Sequence, residues 1–129
     1  MKHLDIMHFP FYDLIFNGER TMEARFTKVR CAPFQKVNAG DVIYIKKCGG
    51  YILGEVTVKK ALYFENPTPE DWSIIKKYHK QLCSHYEKDF WEKRKDAKYI
   101  SLLFIDSPKK YAAPQIFIKK DRRGWVILP

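Results

Sequence analysis

Arg20, Glu23 and Arg25 lie close together in the stretch Asn17-Gly18-Glu19-Arg20-Thr21-Met22-Glu23-Ala24-Arg25, directly after a glycine that can turn the chain. A carboxylate set among guanidiniums has several uses. It can orient an arginine that holds a phosphate or a base edge. It can accept from a base amino group, as acidic side chains do with cytosine. It can act as a general base while Arg20 stabilises developing negative charge. It can also be a plain surface ion pair worth less than about 1 kcal/mol. If Thr21 to Phe26 is a strand, residues two apart share a face. Thr21, Glu23 and Arg25 then point one way, and Met22 and Ala24 the other.

The flanking sequence predicts the elements that hold this segment. His3 to His8 alternates as a short strand and is broken by Phe9-Pro10-Phe11. Phe11, Leu14 and Ile15 fall at helical spacing, with Pro10 at the start and Gly18 as a C-terminal cap. Thr27 to Asn38 is a basic, irregular loop. Val42 to Lys47 is rich in β-branched and aromatic residues and reads as a strand. Cys48-Gly49-Gly50 signals a hairpin, and Tyr51 to Phe64 returns as one long strand or two, with Gly54 a bulge or bend. Thr68 and Pro69 open a helix whose apolar stripe of Trp72, Ile75, Tyr78, His79 and Leu82 carries it to about Tyr86. Glu87 to Lys95 continues as a second helix or an extension. Lys98 to Ile105 is a strand ended by Ser107-Pro108. Tyr111 to Lys119 is an edge or bent strand at Pro114, Asp121 to Gly124 a turn, and Trp125 to Leu128 a final strand. Five to seven strands with helical segments give an α+β class. A partly closed barrel protects the strand edges. The 129 residues read as one domain, 1–129.

The net charge is +9 and the aromatic fraction 16%. Lysines and arginines neutralise phosphates and aromatic faces stack on bases, so a basic, aromatic-rich domain suits nucleic acid. Its alternative is ordinary solvated charge. No apolar run approaches the roughly 20 residues of a membrane span, and Met1 to Asp5 has no signal-peptide pattern. The expectation is a soluble cytoplasmic protein with no membrane partner. Cys31, Cys48 and Cys83 give neither a disulfide framework nor a zinc pair. No metal and no cofactor are expected.

The order of motifs carries a resemblance. A helix leads into Gly18-x-Arg20-x-x-Glu23-x-Arg25, then Gly40-Asp41-Val42-Ile43, then Gly54-Glu55-Val56-Thr57-Val58. This resembles the ASCH family of the PUA-like superfamily, whose signature is Gly-x-Lys-x-x-Glu-x-Arg. It covers most of the first half of the chain and the second half only in outline. The resemblance implies a PUA-like β-barrel of about five to seven mixed strands, with a short N-terminal helix, a helical insertion and a cleft beside the motif. It implies binding of RNA or a nucleotide-like ligand there. One bacterial branch of the family resembles an amidohydrolase acting on N4-acetylcytidine through a Lys, a Thr and a Glu. The Lys position is Arg20 here and the Thr position Glu23, while the Glu lies in a helical region that does not align. An arginine keeps the charge and gains a planar fork, but it cannot act as a base.

Three readings follow. In the first, an RNA- or modified-nucleotide-binding module uses Arg20, Thr21, Glu23 and Arg25. Lys46, Lys47, Lys119, Lys120, Arg122 and Arg123 extend its basic surface, and Trp125 and Tyr99 are cleft aromatics or core. In the second, a small amidohydrolase acts on an acylated nucleoside such as N4-acetylcytidine, with Glu23 as its base. In the third, the motif braces a structural or interaction domain through an internal Glu23–Arg25 pair.

Overall fold

The computed structural model describes residues 1–117 and 122–129. Strand β1 (Lys2–Met7) leads through α1 (Phe11–Phe16) to β2 (Met22–Thr27). After the long loop come β3 (Val42–Lys47), β4 (Ile52–Glu65), α2 (Pro69–Lys76), β5 (Tyr99–Gln115) and β6 (Trp125–Leu128). The six strands form one curled, mixed sheet in the order β2-β5-β4-β3-β1-β6. β1 and β3 run parallel and every other pair antiparallel. The result is an α+β half-barrel with β2 and β6 at its two edges.

Two apolar clusters follow from the strand period. Ile43, Ile45, Val56, Val58, Leu103 and Ile105 fill the inside of the curl with Met7 and Trp125. Met22, Ile100 and Leu102 face outwards and are covered by Ile75, Leu82, Trp72 and Tyr78. β5 is therefore buried on both faces from Ile100 to Leu103. The alternation of β2 places Met22, Ala24 and Phe26 with the outer cluster. Glu23 and Arg25, paired in register with Leu103 and Ser101, take the inner face.

α2 starts as its pattern expects. The Thr68 hydroxyl accepts from the Asp71 N–H (3.1 Å), and the Asp71 carboxylate accepts from the Thr68 N–H (2.9 Å). It stops at Lys76, however, ten residues short of the expected end at Tyr86. Tight turns follow, with Tyr78 N–H on the Ile75 carbonyl and His79 N–H on that of Lys76. Cys83 adopts a left-handed φ of 54°. The Gln81 carbonyl is taken by the N–H groups of Thr21 and Met22, and the Leu82 carbonyl by Arg20. Partners in β2 and just before it thus replace a continuing helix. Glu87 to Lys95 likewise holds only a single turn, Glu92–Arg94, beyond the turn Ser84–Tyr86.

Ser107-Pro108 does not end the strand. β5 runs for 17 residues, and its register against β4 slips between Asp106 and Lys109, where Ser107 has a φ of 52°. β2 pairs with β5 only as far as Phe104. Pro108 and Pro114 therefore lie where one edge of β5 has no neighbour, the position at which a strand tolerates proline. Of the expected strand to Lys119 and turn from Asp121, residues 118–121 lie outside the described residues.

Gly54 lets β5 and α1 approach β4 closely. A Cβ there would collide with the Lys109 carbonyl and stand 2.7 Å from the Phe16 ring. Gly54→Ala should therefore cost about 1–3 kcal/mol of stability as an overpacked site, read as a lowered urea midpoint. An unchanged midpoint would mean that the β4–β5 spacing yields freely.

Candidate functional site

The motif is delivered by the end of α1. Gly18, at φ 86°, reverses the chain, and the Arg20 N–H bonds back to the Leu14 carbonyl at 2.9 Å. Arg20 then enters a buried charge cluster. Its Nε donates to the Leu82 carbonyl (2.9 Å), its Nη1 donates to Glu23 Oε1 (3.0 Å), and its guanidinium stands 4.8 Å from the Phe11 ring centroid. The same Glu23 oxygen accepts from the Ala24 N–H at 2.7 Å. Arg25 reaches across the open seam of the sheet. Its Nη2 donates to Asp5 Oδ1 and to the Ile6 carbonyl (2.8 Å), and its guanidinium lies 5.7 Å from the Trp125 ring centroid. Gly124 clears the way, since a Cβ there would stand 2.9 Å from Arg25 Nη1.

The two carboxyl groups of the cluster are driven apart in acidity. Burial pushes Glu23 up, but the charge of Arg20, a hydrogen bond from Asp5, the charge of Arg25 and the Ala24 N–H outweigh it and hold Glu23 at about 2. For Asp5, burial dominates. Arg25 pulls it down, but burial and the neighbouring Glu23 keep its pKa well above the usual carboxylate range. Asp5 Oδ2 is buried, and no N–H or O–H reaches it. Arg20 and Arg25 both face Glu23, and Arg25 also meets Asp5.

Beside it opens a cavity of about 320 Å³. Arg20 and Glu23, 5% and 4% exposed, lie deep in it with Arg25. One wall is Ile6 to Phe11, including a cis Phe9–Pro10 peptide. The other is Tyr86, Glu87, Phe90 and Arg94, with Ala24 and Phe26 between. Arg94 donates to both Glu87 carboxylate oxygens (2.6 and 3.2 Å) and lies 3.8 Å over the Phe90 ring. That hydrogen bond pulls the Glu87 pKa down. Phe9 and Tyr86, 71% and 44% exposed, mark the rim.

Of the residues singled out in the sequence, Arg20, Glu23 and Arg25 come together here. Thr21 does not join them. It borders a second hollow of about 450 Å³ with Gly18, Lys59 and Asp106, which Arg20 also touches. Lys46 is buried, with its Nζ 3.4 Å from the Lys47 carbonyl, and Lys47 stands 6.0 Å from the Tyr12 ring; neither borders the cavity. Trp125 is buried in the core, and its indole donates to His3 Nδ1 (3.1 Å). The proton on His3 is therefore on Nε2, which donates to Asp41 at 2.9 Å. Tyr99 packs edge-on against Phe34, 5.1 Å away. Arg122 and Arg123 are exposed and do not border the cavity, and Lys119 and Lys120 lie outside the described residues. The cavity walls are what the sequence did not reveal. Phe9-Pro10-Phe11 read as a strand break and the start of a helix, Tyr86 as a helix end, and Phe90 and Arg94 as part of a second helix or an extension.

Solved structures share this architecture. The chain superposes on the crystal structure of ASCH from Zymomonas mobilis with a TM-score of 0.72 at 10% identity, covering 99% of this chain and 87% of that one. A serine-to-alanine mutant of that protein gives 0.74 at 9% identity over 99% and 88%. A hypothetical protein gives 0.53 at 18% identity over 84% of this chain and all of the other. No family model matches the sequence, and no curated protein matches it. The fold is of the ASCH type. Among the described residues, no helix is long and apolar enough to cross a membrane.

The cluster makes stability depend on pH in a defined direction. Glu23 is depressed in the folded chain, so its contribution is fully present above the unfolded value of 4.5 and is lost as pH falls towards about 2. Asp5, raised, acts in the opposite sense. Glu23→Gln should cost about 3–5 kcal/mol at neutral pH, because it strands buried Arg20. The gap to the parent should shrink as pH falls from 4.5 towards about 2. Asp5→Asn, at a carboxyl whose charged form burial already disfavours, should cost clearly less. Urea denaturation across that range checks both, and a gap independent of pH would contradict the assignment.

Proposed function

We propose that this chain is a binding module for RNA or a modified nucleotide, and that one nucleobase enters the cavity beside Arg20, Glu23 and Arg25. The observation that carries this reading is the pairing of a largely buried cluster of two guanidiniums and two carboxyls with aromatic walls in a cavity of about 320 Å³. That volume is at the lower end of small-molecule sites, about 300–1,000 Å³, and suits a single nucleotide. Phe9, Phe11, Tyr86 and Phe90 offer ring faces and edges of the kind on which splayed bases stack. Arg25 Nε is buried without a hydrogen-bond partner and lies 4.0 Å from Glu23 Oε2. A donor beside an acceptor matches a base edge that presents a ring nitrogen next to an amino group. The overall charge of +9 favours a polyanion that reaches the cavity.

The hydrolytic alternative draws no support from the same geometry. A carboxylate held at about 2 is a weak base near neutral pH. A guanidinium has no lone pair to act as a base, and that of Arg20 is already committed to Leu82 and Glu23.

Filter binding to single- and double-stranded RNA at several salt concentrations tests the proposal. The chain should bind single strands more tightly than an unrelated protein of equal charge. Phe9→Ala and Tyr86→Ala, at exposed rim positions, should each weaken binding about tenfold, as loss of a stacked base does, without lowering the melting temperature. Binding no tighter than that of the control protein, or untouched by both substitutions, would overturn it.

A further inference from the structure

The aromatic wall of the cavity has a second side. Phe26 borders the cavity, and its ring lies parallel to Trp72 (6.2 Å, 4° between planes) and edge-on to Trp91 (6.2 Å, 85°). Beyond Phe26 two hollows adjoin, of about 570 and 370 Å³, and both are bordered by Trp72 and Lys95. Lys28 and Lys98 border the larger, Lys76 and Trp91 the smaller. All four lysines are exposed, while both indoles are half-buried. Lys95 is held by Glu92 at 2.6 Å, but Lys28, Lys76 and Lys98 have no ion-pair partner among the described residues. Among the described residues, Asp96 is the one carboxylate bordering either hollow. Trp72 and Lys76 stand four residues apart on α2, so a ring and an ammonium share one helix face.

We propose that this groove is a second binding site, taking the sugar-phosphate backbone of the same single strand whose base occupies the cavity. The inference rests on the nucleotide reading of the cavity and extends it from one nucleotide to a path. Unpaired ammoniums along a groove neutralise successive phosphates, and indole surface accepts a base of any identity; together these are the makings of a sequence-tolerant single-strand groove. Phe26 on the cavity side packs against Trp72 and Trp91 on the groove side, so the two sites lie on either side of one aromatic layer. An acidic peptide would answer the lysines but would leave the paired indoles, and their packing against the cavity wall, without a role.

The test is fluorescence anisotropy with a short labelled oligouridylate, run beside uridine monophosphate binding followed by calorimetry. The groove variant is Lys76→Glu with Lys98→Glu. The control carries the same charge change at Lys109→Glu with Lys110→Glu, exposed positions on β5 paired with β4. The groove variant should bind the oligonucleotide at least about tenfold more weakly, with a salt slope reduced by about two, one for each phosphate no longer neutralised. The control should lose less than about threefold on the same electrostatic scale. Mononucleotide binding should be unchanged in both. The matching Lys→Gln pair should shift affinity in the same direction by a smaller amount. Equal losses in groove and control variants, or none in either, would overturn the inference. So would oligoglutamate binding as tightly as oligouridylate with the same sensitivity to the groove substitutions, which would assign the groove to an acidic protein. Failure of the parent chain to bind mononucleotide would instead sink the cavity reading, which the groove variants do not probe.

Discussion

Arg25 ties together the two edges of a sheet that has no backbone ladder between them. β2 and β6 stand at opposite ends of the strand order, so closure of the curl falls to side chains. Arg25 leaves β2, meets Asp5 and the Ile6 carbonyl on β1, and passes beside Gly124 at the start of β6. The Ile6 N–H in turn holds the Gly124 carbonyl at 3.0 Å. A guanidinium suits this post, because its planar fork satisfies a carboxylate and a carbonyl together and its face can lie on Trp125. The same arrangement leaves the seam open at the surface. A laddered barrel would have strand there, and here there is a cavity.

Burying these charges would be costly if each stood alone. Two features reduce the cost. Arg20 and Arg25 face Glu23, whose carboxylate also accepts a backbone N–H, so the charge that remains is well solvated by protein. Burial and the neighbouring Glu23 raise the Asp5 pKa against the pull of Arg25, which eases the cost of a second negative charge in the interior. The closure of the fold and the electrostatics of the cavity are consequently one set of interactions. Any change at Asp5, Glu23 or Arg25 acts on both.

Local periodicity carried far along this chain. The period-two pattern of Thr21 to Phe26 correctly separated Glu23 and Arg25 from Met22 and Ala24, because one side of β2 faces apolar packing and the other the seam. Val42 to Lys47 and Trp125 to Leu128 are strands with the expected bounds, since their β-branched content agrees with their place in the sheet. What failed were elements decided by distant partners. The stripe from Trp72 to Leu82 is apolar and does reach the core, yet the helix ends at Lys76 in tight turns, and further on β2 and the residues before it claim the carbonyls of Gln81 and Leu82. Ser107-Pro108 reads locally as a stop, but the missing β2 neighbour at that point makes proline harmless. The cavity walls depend on Phe9 meeting Tyr86 and Phe90 across most of the chain, a juxtaposition no window of sequence contains.

The identity of residue 20 follows from the same geometry. Arg20 makes one bond to the Leu82 carbonyl and one to Glu23 while its plane lies near Phe11. A lysine offers a single compact ammonium on a flexible stem and cannot hold those two acceptors from separate nitrogens in a fixed plane. The bond to Leu82 helps anchor the segment after α2, with the Thr21 and Met22 N–H groups on the Gln81 carbonyl, and Tyr86 and Phe90 on that segment form one wall of the cavity. Arginine at this position therefore sets the width of the site from beneath. Glu23 is fixed through its Oε1 by Arg20 and the Ala24 N–H. The motif supplies the floor and the framework, and the aromatic residues brought in from α1 and from the turns after α2 supply the surface that a ligand meets.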